Sequence, residues 1–154
     1  MTMTEAQGVL QGGVHAFPVR VYFEDTDAGG IVYYANYLRF AERARSEMLR
    51  HLGIESGRLV DDLGLAFAVK QCSMDFIKPA KLDDLLTVET RLTGIGGASL
   101  TADQRISLDG ADLVRMELKL ACMSLDGRPA RLRATSANGW RTFLIRPGRH
   151  KTNF

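Results

Sequence analysis

Three carboxylates, two adjacent glycines and three tyrosines fall within the seventeen residues EDTDAGGIVYYANYLRF, Glu24 to Phe40. An acid-Thr-acid run followed by Gly-Gly stands between an apolar stretch and a charged amphipathic one, which brings carboxylates beside the first turn of a helix. The unpaired N–H groups of such a turn point outward, and its dipole favours negative charge. A carboxylate next to an anion site suits hydrolysis of an activated ester. The acid attacks the carbonyl or deprotonates water, while helix N–H groups hold the oxyanion that forms. Gly29 and Gly30, lacking a Cβ, let backbone and substrate approach closely. The same spacing fits a plain turn, in which Asp25 or Asp27 caps the helix and the glycines reverse the chain. Spacing alone leaves both readings open.

The elements that must position this motif show in the hydropathy pattern. Gly8, Gly12 and Gly13 interrupt a start without periodicity, which predicts a flexible arm over residues 1–17. PVRVYF then alternates as a strand does. From Tyr34 onward, Tyr37, Leu38, Ala41, Ala44, Met48 and Leu52 recur at the spacing of a helix with one buried face. Gly53 is placed to end it, and Ser56 to cap a short second helix that closes at Gly64. Beyond Gly64 the period changes to two, with a shift of faces around Lys70, and Asp109-Gly110 marks a tight hairpin. These signals predict an α+β domain over residues 18–135, an antiparallel sheet of about five strands wrapped around one long central helix. A basic-ended extension over 136–154 follows. Such a sheet leaves an exposed edge, which favours pairing into a dimer.

Composition narrows the function classes. The 154 residues carry 20 basic and 18 acidic side chains, too even a balance for the footprint that a nucleic-acid duplex requires. Cys72 and Cys122 have no C-x-x-C spacing and no nearby histidine, so they read as reduced, buried residues, and no metal site is expected. The first seventeen residues lack a basic start followed by an apolar stretch, and no apolar run is long enough to span a membrane, so a cytoplasmic protein is expected.

The run VRVYFEDTDAGGIVYYANYLRFAERARSEMLRHLG resembles the opening of the hotdog-fold acyl-CoA thioesterases. It is similar above all to the group associated with the Tol-Pal envelope system, and next to the 4-hydroxybenzoyl-CoA thioesterases. Weaker echoes continue in MDFIKPAKLDDLLTVET and GRPARL. The resemblance implies hydrolysis of short-chain or aromatic acyl-CoA to free acid and CoA, with no cofactor beyond the CoA of the substrate. It implies Asp27 as the catalytic acid, nucleophile or general base, and the backbone N–H of Tyr34 as the oxyanion donor. Both roles of Asp27 use its carboxylate form. Asp25 is assigned to structure, and Tyr33 and Tyr37 to the walls of the core or acyl pocket.

Gly29 and Gly30 give access to the thioester, Ser99 is a candidate to face the pocket, and Arg128 and Arg131 are candidates for the CoA phosphates. Some Tol-Pal-type members carry histidine where Tyr34 stands, and the family often has proline where this chain has Arg133. The resemblance further implies a homotetramer built from dimers, each site at a dimer interface, working near the inner membrane. The alternative is a protein that holds acyl carrier protein or envelope-biogenesis partners in its acyl groove, with hydrolysis incidental. A hotdog dehydratase would need a histidine in the site, whereas His15, His51 and His150 lie in the arm, at the helix end and in the tail.

Overall fold

The computed structural model describes residues 7–54, 57, 60, 61 and 64–131. The expected Ser56 cap and the extension over 136–154, with Trp140, lie outside the described residues.

Six strands form one antiparallel sheet: β1 (Val9–Gln11), β2 (Val14–Arg20), β3 (Leu65–Phe76), β4 (Leu85–Ile95), β5 (Ser99–Leu108) and β6 (Ala111–Ser124). Their order across the sheet is β1-β2-β4-β5-β6-β3, which leaves β1 and β3 at the edges. Alternation places Leu86 and Val88 of β4, Leu100, Ala102 and Ile106 of β5, and Val114, Met116, Leu118 and Leu120 of β6 on the inner face. Charged residues such as Glu89 and Arg105, paired at 2.7 Å, occupy the other face. Asp109 and Gly110 both have positive φ, 50° and 82°, as a two-residue hairpin requires. The shift of faces near Lys70 is a register break between Val69 and Gln71 against β6.

Among the described residues the sheet has six strands, where about five were expected. The stretch read as an arm carries a β1–β2 hairpin, in which Val9 pairs with Ala16 and Gln11 with Val14 across Gly12 and Gly13, both at positive φ. The strand expected over PVRVYF accordingly begins earlier and runs Val14–Arg20. His15, Ala16 and Phe17 continue its alternation, which the histidine and alanine obscure to a hydropathy count.

The central helix α1 (Asn36–His51) lies against β2, β4 and β5. Its buried side consists of Tyr37, Phe40, Ala41, Ala44, Met48 and Leu49. Leu38, counted with that face from spacing, is 43% exposed, because the stripe turns through Phe40 instead. Each large side chain buried here contributes about 1.5–3 kcal/mol. Gln104 of β5 braces the packing: its Nε2 donates to the Ala41 carbonyl and the Thr90 hydroxyl, both at 2.9 Å, and its Oε1 accepts from Arg45 at 2.9 Å. The helix divides the core lengthwise. Tyr37 to Ala44 pack with Leu86, Ile106 and Val114 at one end of the sheet, while Met48 and Leu49 pack with Leu65, Leu92, Leu100 and Leu120 at the other.

Candidate active site

Between β2 and α1 the chain makes a 3-10 turn, Phe23–Asp25, and then a miniature hairpin. Thr26 bridges Val32, the Asp27 N–H donates to the Ile31 carbonyl at 2.9 Å, and the Gly30 N–H donates to the Asp27 carbonyl at 3.1 Å. Gly30, at φ +78°, occupies the left-handed position that closes a three-residue loop of this kind. The Asp27 side chain is exposed at the base of the loop, where its Oδ1 accepts the Gly29 N–H at 2.8 Å.

Asp25 behaves differently from Asp27. It is buried, and its Oδ2 accepts the Tyr22 N–H at 2.8 Å, closing the 3-10 turn. Its carbonyl accepts the Tyr33 N–H at 3.0 Å and the Asn36 Nδ2–H at 2.9 Å. Of the two acids, only Asp27 presents a carboxylate to solvent.

Tyr34 and Ala35 form the turn that opens α1. The Asn36, Tyr37 and Leu38 N–H groups already bond to the carbonyls of Tyr33, Tyr34 and Ala35, whereas the Tyr34 and Ala35 N–H groups meet no acceptor among the described residues. Ala35, at the N-cap, supplies no side-chain acceptor either. Two backbone donors and the positive end of a sixteen-residue helix are thus left open beside the Asp27 hairpin.

An aromatic wall flanks these donors. Tyr34 is 61% exposed and meets Phe76 edge-on at 6.2 Å; Phe76 lies 6.0 Å from Tyr37 and is itself 53% exposed. The Tyr33 ring is 4.9 Å from that of Tyr34, and the neighbouring Tyr34 phenol raises the Tyr33 pKa above its ordinary value. Tyr37 is buried, its hydroxyl accepts the Ala80 N–H at 3.0 Å, and burial raises its pKa. Phe76 is the part of this wall that site assignment from sequence overlooked. The aromatic closing an alternating strand just before Lys78-Pro79 was its available signal.

The remaining candidates lie elsewhere. Ser99 opens β5, beside the Gly96 N–H that donates to its carbonyl at 2.7 Å. Arg128 and Arg131 follow the far end of β6, where Arg128 is mostly exposed with its Nε 3.7 Å from Asp126. Arg131 crosses the β4–β5 turn, its Nε 3.6 Å from where a Cβ on Gly97 would stand. That turn and the Asp27 hairpin are at opposite ends of the sheet. The hairpin is fastened to Ala80, Lys81 and the start of β4, through Val32 N–H to Ala80 carbonyl at 2.9 Å and an Ile31–Lys81 bridge. From Ser99 to Leu108 the ten residues of β5 span about 30 Å at ~3.4 Å per step. Within one chain, therefore, Asp27, Gly29, Gly30 and Tyr34 come together, and Ser99, Arg128 and Arg131 do not join them.

Cys122 is buried as expected, but Cys72 is exposed, because β3 is an edge strand whose middle residues lie away from the helix. Among the described residues no three His, Cys, Asp or Glu side chains are grouped to hold a metal ion, and no helix is long and apolar enough to cross a membrane.

Comparison with known proteins fits this architecture. Residues 29–114 match the thioesterase superfamily. The acyl-CoA thioesterase YbgC of Haemophilus influenzae is 48% identical over 110 residues, covering 71% of this chain and 81% of the relative. The acyl-CoA thioester hydrolase YbgC of Escherichia coli is 44% identical over 108 residues, 70% of this chain and 80% of the relative. Among solved structures, a probable thioesterase from Bartonella henselae superposes with a TM-score of 0.76 at 38% identity, covering 78% of this chain and 99% of that one. The chain belongs to the thioesterase superfamily and is a hydrolase of the hotdog fold.

Proposed function

We propose that the protein hydrolyses acyl-CoA thioesters to the free acid and CoA, with short-chain or aromatic acyl groups as its substrates. The observation that carries this reading is the pairing of an exposed Asp27 carboxylate with the open Tyr34 and Ala35 amides at the start of α1. The thioester oxygen docks on the Tyr34 N–H, and Asp27 either takes a proton from the attacking water or attacks the carbonyl itself. Negative charge then grows on the oxygen facing the amide, where one such donor contributes about 10²–10³ in rate. Collapse of the tetrahedral species expels the CoA thiolate. In the nucleophilic route, water next hydrolyses the Asp27 acyl anhydride.

The CoA end is supplied by a second copy of the chain on this reading. What supports it is the split of the candidate residues between the two ends of the sheet, together with the edge strand β3. Twelve residues long and largely exposed, with Val69 at 49%, β3 offers a row of unpaired backbone groups. Antiparallel pairing of two such strands about a twofold axis sets the Leu65 end of one copy against the Phe76 end of the other. Ser99, Arg128 and Arg131 of the second copy then arrive at the Asp27 end of the first. A further pairing of dimers gives the homotetramer.

Replacing Asp27 by Ala tests the reading. We expect loss of turnover across a panel of short-chain and aromatic acyl-CoAs with the circular dichroism unchanged. Near wild-type turnover would remove Asp27 from the chemistry. Retention of an acyl carrier protein by a wild-type enzyme with negligible turnover would favour a binding protein instead.

A further inference from the structure

We infer that Asn36 is a positioning residue for hydrolysis: its side chain holds the loop that carries Asp27 in register with the amide of Tyr34. The inference rests on the assignment of Asp27 and Tyr34 above. Asn36 is the first residue of α1 and is 8% exposed. Asparagine caps the first N–H groups of a helix when it is the N-cap residue, but in α1 Ala35 is the N-cap and Asn36 stands one position inside the helix. Here the Nδ2–H reaches back eleven residues to the Asp25 carbonyl at 2.9 Å. That carbonyl also takes the Tyr33 N–H at 3.0 Å, so both its lone pairs are used.

The strut joins the two halves of the site near their working parts. Asp25 stands two residues before Asp27, and Asn36 two residues after Tyr34. Asp25 is fixed from its other side by the Tyr22 N–H at 2.8 Å, so the Asn36 bond moves the loop as a body and not one peptide alone. Displacement of a reacting group by about 1 Å costs on the order of 100-fold in rate. The Asp25 carbonyl keeps its Tyr33 bond when Asn36 is replaced, which confines the damage largely to alignment.

Two variants test this in the full-length enzyme. Asn36→Leu keeps the volume and removes the donor, and we expect kcat to fall about 10- to 100-fold, with KM within about threefold. Asn36→Asp places a buried carboxylate against a carbonyl, which lowers kcat at pH 8. As pH falls the new acid protonates and donates its O–H to the Asp25 carbonyl, so the wild-type to variant kcat ratio shrinks toward pH 5.5. For Asn36→Leu the ratio stays flat. A folded Asn36→Leu enzyme with kcat within twofold of wild type overturns the inference; should that variant not fold, an Asn36→Asp ratio independent of pH overturns it instead. An Asp27→Asn control separates the two levels. Loss of activity in Asp27→Asn beside full activity in Asn36→Leu removes only Asn36, whereas an active Asp27→Asn enzyme removes the reading beneath it.

Discussion

The Gly29 N–H donates to Asp27 Oδ1 at 2.8 Å, and a Cβ added to Gly29 would stand 3.2 Å from that same oxygen. One glycine thus orients the candidate catalytic carboxylate and leaves the room it occupies. Gly29 has no positive φ, so alanine is tolerated there by the backbone; Gly30, at +78°, has open space around it but a conformation that side chains disfavour. The neighbouring glycines therefore separate chemistry from folding. Gly29→Ala is expected to lower kcat about 10-fold or more by displacing the carboxylate, with little change in Tm. Gly30→Ala is expected to cost about 1–2 kcal/mol of stability. Steady-state kinetics and thermal melts on both variants check this, and an equal loss of Tm in the two would remove the special role of Gly29.

The separation of Asp27 from Arg131 along the sheet makes the dimer reading testable by mixing chains. Asp27→Ala is expected to be inactive, and Arg131→Ala to raise KM more than it lowers kcat. When the two are co-expressed with different tags, half of the dimers are mixed, and one of the two sites in each is whole. Activity at low substrate is then expected to return to roughly a quarter of wild type in a twofold-symmetric dimer. A site built within one chain gives no gain over the average of the two parents, an outcome that would return Arg131 to the role of a solvated surface residue.

The helix, the alternating strands and the Asp109-Gly110 hairpin were legible because each depends on local periodicity or on a turn that few residues can make. The β1–β2 hairpin was hidden, since Pro18 draws attention to a later start and His15 breaks the apolar count although it is fully buried. Asp27 and Tyr34 were named as candidates by resemblance, and it is the miniature hairpin, with Thr26 against Val32 and the Tyr33 N–H on the Asp25 carbonyl, that folds the chain between them back. Asn36 was not: its partner lies eleven residues upstream, and nothing in its type distinguishes a strut from a cap. That Ser99 and Arg131 lie at the opposite end of the sheet from Asp27 within one chain was not legible, because strand order decides which end of a sheet a turn occupies, and periodicity carries no strand order.

His15 and His51 converge on the carbonyl of Gln7, which accepts from the Nε2–H of each, at 2.9 Å and 3.1 Å, with the rings 5.1 Å apart and edge to face. His15 is fully buried, and its Nδ1 meets no partner among the described residues. Burial lowers its pKa from the ordinary 6.5; the hydrogen bond to Gln7 acts in the opposite sense, and the nearby His51 lowers it further. A histidine depressed in this way binds its proton in the unfolded chain at a pH where the folded protein still excludes it. Its contribution is therefore fully present above pH 6.5 and is lost as pH falls from there through the folded pKa. Wild-type Tm is expected to drop between pH 7.5 and 5 by more than that of His15→Gln, which removes the titrating ring while starting from a lower Tm at pH 7.5. Thermal melts at half-unit steps decide the matter. Parallel curves for the two proteins would mean that other groups carry the acid sensitivity, whereas convergence toward pH 5 assigns it to the buried ring that holds β1 to the sheet.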